Sequence, residues 1–245
     1  MQDNIPFMSD LNTVMWKETR SWLRYQGSKT RTFMTLASPL FIAIYLPLET
    51  GTDWTEGYLS LIMAFLVPTM IAGLTVPDSF AGEKERNTLP TLLTTRLPDR
   101  AILFGKMLFG IIMAWAAGLL MLVISLIAAN ISYTEGGFLF YSPSVLGAYL
   151  GFSLLMAILT TGAGVLISMR SKTAQEASQL LISILLMPPM LFGLLATMLI
   201  RRSNILETVD GTLILLAVAA VLLVATVLLV LAAMRRFQRS RLVFD

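Results

Sequence analysis

Six stretches of this chain run almost free of charge for long enough to approach the ~30 Å of a bilayer's hydrocarbon core. They are Phe33–Leu48, Gly57–Val76, Ile102–Asn130, Val145–Met169, Ala177–Ile200 and Thr212–Met234. The first is short, rising only roughly 24 Å as a helix, and it contains Pro39 and Pro47. It is expected to borrow Thr30–Thr32 or to sit in thinned lipid. The fifth carries Pro188-Pro189, which predicts a kink or a break, with the second half a candidate re-entrant piece. Neither an internal repeat nor a flexible linker divides the chain, so residues 1–245 read as one membrane domain.

Two amphipathic segments interrupt this pattern. In Leu11–Gln26, at 100° per residue, Leu11, Val14, Met15, Trp22 and Tyr25 gather on one arc. Lys17, Arg20 and Arg24 gather on another, while Trp16 and Leu23 widen the apolar side. Glu18 falls inside the apolar stripe and breaks it. Such a helix suits the inner headgroup layer of a membrane; the competing reading is a helix packed on the membrane domain.

The second segment, Ala81–Lys106, reads AGEKERNTLPTLLTTRLPDRAILFGK. Glu83 to Arg86 is expected to carry the helix of the second span into water. Thr88 is placed to cap a short helix with Pro90 in its first turn, where proline is tolerated. Leu89, Leu92 and Leu93 fall on one face of that helix. Pro98-Asp99 stops it, and Asp99 is placed to cap the third span. The competing reading is a solvated charge run whose leucines pack on the inner face.

Charge gives this pattern an orientation. Of 18 Lys and Arg, sixteen fall in the arm, the segment after span two, the link after span four and the tail after span six. Arg201 and Arg202 alone fall on the other side, where Glu49, Asp53, Glu56 and Glu135 lie. By the positive-inside rule both termini are cytoplasmic. The arm is then residues 1–31 and the loop residues 79–100. About thirty polar, charge-bearing residues precede the first apolar run, so insertion is expected to use the spans themselves.

Composition narrows the chemistry. The chain is 56% hydrophobic and 13% charged, with mean hydropathy +0.75, well outside the soluble range. Histidine and cysteine are absent, which removes disulfides, the usual zinc and haem ligands, thiol nucleophiles and imidazole bases. The middles of the six spans lack Asp, Glu, Lys and Arg, whereas ion-coupled transporters and intramembrane enzymes hold ionisable groups at depth. Asp78, Lys106 and Glu176 lie at span ends, within snorkelling reach of water. A phosphate-cradling G-x-x-x-x-G-K-[ST] loop is also missing, so energy is expected to arrive from another protein. A net charge of +3, spread over span ends, argues against nucleic acid. Methionines in the spans, Met63, Met70, Met187 and Met190 among them, are candidates for an adaptable apolar passage or for core filling. Thr160, Gly162 and Gly164 are small enough for close helix contact.

The stretch GEKERNTLPTLLTTRLPDRAILFGK resembles the signature of membrane subunits of type-2 ABC exporters: an E-x-E-R-G-T-L lead-in, a leucine-rich coupling helix and a G-K at the start of span three. The arm MWKETRSWLRYQGSKTRTFM and the six-span count extend the resemblance to the whole architecture. It implies an all-α integral membrane fold: six transmembrane helices, an amino-terminal elbow helix (Lys17, Arg20, Trp22, Arg24) and a cytoplasmic coupling helix. Glu83, Glu85 and Arg86 match the charged lead-in, Thr88 and Leu89 the T-L, and Leu92 and Leu93 the coupling leucines. Asn87 replaces the usual glycine, and Pro90 stands where an acid is common. The resemblance further implies a cell-membrane protein, of prokaryotic type, that pairs with an identical or paralogous permease in the bilayer. It would dock on a separate ABC ATP-binding subunit, which holds ATP and magnesium, and itself carry no cofactor and no catalytic site. The alternative from another class is a non-transporting membrane anchor or regulator of an ATPase complex.

Overall fold

A computed structural model describes residues 7–25, 29–133, 137–200 and 211–236; for 23–25, 29–36, 93, 188–200, 211–215 and 235–236 it describes the backbone alone. The described residues form helices and connecting turns, with no strand among them. In chain order these are α1 (Phe7–Tyr25), α2 (Lys29–Thr50), α3 (Thr52–Glu56), α4 (Leu61–Thr75) and α5 (Pro77–Glu85). There follow α6 (Leu89–Leu93), α7 (Asp99–Ser132), α8 (Pro143–Arg170), α9 (Ala174–Ile200) and α10 (Gly211–Arg236).

Among the described residues, four segments are long and apolar enough to cross a membrane: Tyr58–Glu85, Asp99–Ser132, Pro143–Arg170 and Leu216–Met234. Ala37–Thr50 and Ala174–Met187 are shorter apolar helical stretches, each lying within a longer helix. The chain is therefore an all-helical, multi-pass membrane protein. α2 is one helix from Lys29 through both its prolines. α9 is also continuous from Ala174 to Ile200, so Pro188-Pro189 neither breaks it nor starts a re-entrant piece. Between α4 and α5 only Val76 interrupts the helix, ahead of Pro77 in the first turn of α5.

α4, α7 and α8 form the centre; α2 lies on α7, α10 on α8, and α9 on α8, α5 and α4. Small residues set how closely they approach. A Cβ on Gly110 would stand 2.9 Å from one methyl of Val76, and a Cβ on Gly164 2.8 Å from the other. Val76 is thus wedged between α7 and α8, and Gly164 serves packing. Met63 belongs to the same core, at 0% exposure. Met70 is half-buried, Met187 is exposed, and the side chain of Met190 lies outside the described residues.

At the end opposite the α5–α6 loop, buried Trp54 of α3 donates to the Tyr141 hydroxyl at 3.3 Å. That hydroxyl also meets Ser125 at 3.0 Å and donates to the Leu122 carbonyl at 3.2 Å. Burial pushes the Tyr141 hydroxyl pKa up, against the opposing hydrogen bonds of Ser125 and Trp54. These bonds close that end of the bundle, where the Asn130 amide also pairs with both backbone groups of Leu139.

Candidate coupling site

The turn from α5 into α6 is built by Asn87. Its φ is +56°, the left-handed value that lets the chain leave a helix, and asparagine tolerates it better than most residues. The Thr88 N–H then returns to the Glu83 carbonyl at 2.9 Å, and the Asn87 N–H to the Lys84 carbonyl at 3.0 Å. This pair of bonds is the Schellman arrangement usually made with glycine. Thr88 precedes α6 as expected, but its side chain caps nothing there; the hydroxyl donates back to the Glu83 carbonyl at 3.4 Å. Asp99 is the first residue of α7, and Pro98 holds the cap position.

The four charges of GEKER do not form a solvated run. Glu83 is buried, at 5% exposure. Its Oε1 lies 3.0 Å from the Nζ of Lys106 and also accepts from Lys17. Lys106, far from snorkelling, is among the most buried side chains of the chain. Its ammonium donates to Glu18 at 2.8 Å and to the Ser79 carbonyl at 2.5 Å, and sits 4.9 Å from the centre of the Phe80 ring. Lys17 lies 3.3 Å from the same Glu18 oxygen. Two acids and two bases from α1, α5 and α7 thus make a neutral cluster. A lone buried ammonium costs several kcal/mol, and this arrangement surrounds it with acceptors. Burial alone would raise the Glu18 carboxyl pKa; the Lys106 and Lys17 ammoniums outweigh it and hold it below the ordinary value. Glu83 Oε2 is buried without a hydrogen-bond partner.

The other charges tie α5 to its surroundings. Arg86, at the end of α5, grips Asp78 in its first turn through two parallel bonds of 3.0 and 2.9 Å. Gly82 lies beneath them, and a Cβ there would overlap the Asp78 carboxylate. Lys84 donates to the Met169 carbonyl at 2.8 Å, closing the end of α8. Glu85 accepts from the Ala174 N–H at 3.2 Å, at the start of α9, where a negative charge is favoured. Ser168, which the sequence did not single out, accepts from the Ala81 N–H at 2.9 Å and donates to the Pro77 carbonyl at 2.8 Å.

α6 departs from expectation in its leucines. Leu89 and Leu92 are 2% and 8% exposed, inside the chain's own core, so they hold α6 down and do not project as anchors. The side chain of Leu93 lies outside the described residues. What α6 offers outward is Thr88, Pro90, Thr91 and, just beyond it, Thr94, Thr95 and Arg96. Between α6 and α1 runs a groove of about 400 Å³, lined by Thr13, Val14, Lys17, Thr91, Leu92 and Leu97 among others.

α1 packs on α7. Val14 is 1% exposed, and a Cβ on Gly105 would stand 2.7 Å from its Cβ. The basic face of α1 is correspondingly reassigned: Lys17 turns into the ion cluster. Arg20 stays exposed and covers the Trp16 ring at 4.4 Å, leaving that ring on the outer side. Trp22 is half-buried, and the Arg24 side chain lies outside the described residues.

A family model described as ABC-2 family transporter protein matches residues 8–212, from α1 to the start of α10. No curated protein matches the chain.

Proposed function

The chain belongs to the ABC-2 family of transporter proteins, a membrane-spanning permease component of an ABC transporter, and on that premise we propose that it is the permease subunit of an ATP-driven exporter. In this reading α2 and α9 complete six crossings, both termini lie in the cytoplasm of the cell membrane, and two permeases pair. A separate ABC ATP-binding subunit docks on the α5–α6 loop and holds ATP and magnesium. Nucleotide-driven closure of that subunit displaces α6, and α5 and α7 pass the movement into the central helices.

The observation that supports it best is the construction of the loop. A polar excursion between two spans is pinned by charge at every step: to α1 through Glu83, to α8 through Lys84 and to α9 through Glu85. A solvated linker needs no such fastening, whereas a lever does. The exposed ridge of Pro90, Thr91, Thr94 and Arg96 is the docking face in this reading. Uncharged mid-span segments favour a hydrophobic or amphipathic cargo over a bare ion.

The test is to coexpress the chain with an ABC ATPase encoded beside it, purify through a tag on the chain and reconstitute in liposomes. Copurification together with ATP-dependent movement of a fluorescent amphiphile supports the exporter reading. A bound, active ATPase with no ATP-dependent movement across a panel of amphiphiles favours the anchor or regulator.

A further inference from the structure

We propose that Lys106, Glu18 and Glu83 form an ionic joint that makes α1 and the α5–α6 loop move as one body, with Lys106 as its hub. That this movement carries work from an ATPase rests on the function proposed above; the joint itself does not. Each partner comes from a different element. Glu18 lies 88 residues before Lys106 in sequence, on α1, and Glu83 lies on α5. The Lys106 side chain is 0% exposed, so no change of rotamer returns it to water. Its ammonium has three N–H donors, and Glu18, Glu83 and the Ser79 carbonyl are the three acceptors around it. Lifting α1 alone strands Lys106 beside a single carboxylate, and shifting α5 alone removes Glu83 and the Ser79 carbonyl together. Either motion strips acceptors from an ammonium held in an apolar site, which is costlier than moving the elements together.

The direct contact between α1 and α6 is too open for that duty, since the groove runs between them. Nor does the cluster invite an ion, because its two carboxylates and two ammoniums already balance. These residues are therefore positioning residues, acting on the loop through α5.

The chain has no cysteine, so spin labels can be placed singly or in pairs. Labels at exposed Thr19 and Thr94 report the distance from the arm to the loop, and one at exposed Phe138 serves as a reference at the opposite end. In lipid nanodiscs the full chain should give one narrow Thr19–Thr94 distribution. Glu18→Gln with Glu83→Gln should broaden it at least twofold, with the helical content of the chain unchanged; a distribution that stays equally narrow overturns the joint. Should the double variant fail to insert, Glu18→Gln alone carries the same comparison with the same two outcomes. With an ATPase bound and nucleotide added, both labels should shift relative to Phe138 while their mutual distance holds. A nucleotide-dependent change in the Thr19–Thr94 distance itself also overturns the proposal. Failure of any ATPase to bind counts against the exporter reading and leaves the nanodisc comparison to decide the joint.

Discussion

The ammonium of Lys106 in α7 lies 2.8 Å from a carboxylate oxygen of Glu18 in α1. The contact explains an oddity in each element. Glu18 breaks the apolar stripe of the arm, and Lys106 is a lysine inside the apolar run of a span. Each would be a defect alone. Together they are a lock between two helices, and each calls for the other.

A pH dependence follows. The Glu18 carboxyl pKa is lowered in the folded chain, so its contribution to stability is fully present above the ordinary 4.5 and is lost as pH falls through the lower folded value. Thermal unfolding in detergent should therefore steepen in its pH dependence below 4.5. Glu18→Gln should flatten that limb by up to about 1.4 kcal/mol per pH unit, the worth of one proton. An identical slope in the variant would count against the pairing.

Lys106→Met should be the most damaging conservative change at this end, because it leaves Glu18 and Glu83 buried without their hub. A loss of about 3–5 kcal/mol is expected, read as a fall in melting temperature and yield. Adding Glu18→Gln and Glu83→Gln to the same chain should recover a large part of it. A triple variant no better than the single one would show that packing around the lysine stem, and not charge, sets the cost.

Gly82 and Asp78 should be coupled. A methyl at Gly82 overlaps the Asp78 carboxylate, so Gly82→Ala should open the Asp78–Arg86 pair and destabilise the loop. In an Asp78→Ala background the same change should be neutral or mildly stabilising, since alanine is the better helix former by up to about 1 kcal/mol. A double-mutant cycle on melting temperatures measures this, and simple additivity would exclude it.

Asn87 holds a left-handed backbone at φ +56°. Asn87→Gly should be tolerated or stabilising, while Asn87→Val should cost about 1–2 kcal/mol through backbone strain. Limited proteolysis of the α5–α6 turn gives the readout: cleavage should rise in the valine variant only.

Topology tests the sixteen-to-two charge split. Asp53, Phe138, Thr94 and Lys172 are all exposed, so a cysteine at any of them is open to reagent once the right side is reached. Cysteines at Asp53 and Phe138 should react with an impermeant thiol reagent added to intact cells. Those at Thr94 and Lys172 should react only after permeabilisation. Labelling of Thr94 from outside would reverse the orientation and remove the ATPase from the loop.

Much of this architecture was readable from residue pattern alone. Apolar runs locate α4, α7, α8 and α10, since a chain in lipid must satisfy its own backbone and does so helically. Proline, glycine and the polar excursion mark the loop, and Asn87 announces a left-handed turn through local chemistry. These are properties of short windows, and windows of sequence contain them. The direction in which a side chain points is another matter. Leu89 and Leu92 share a face by periodicity, yet periodicity does not say whether that face meets the cytosol or the chain itself; the structure turns it inward. Likewise Glu83, Lys17 and Lys106 read as surface charges, because charges exposed to water are the usual case. Only the packing of α1 across α7, allowed by Gly105 under Val14, brings the four charges together. Their pairing energy depends on distance and burial, and neither exists until helices far apart in sequence are laid side by side.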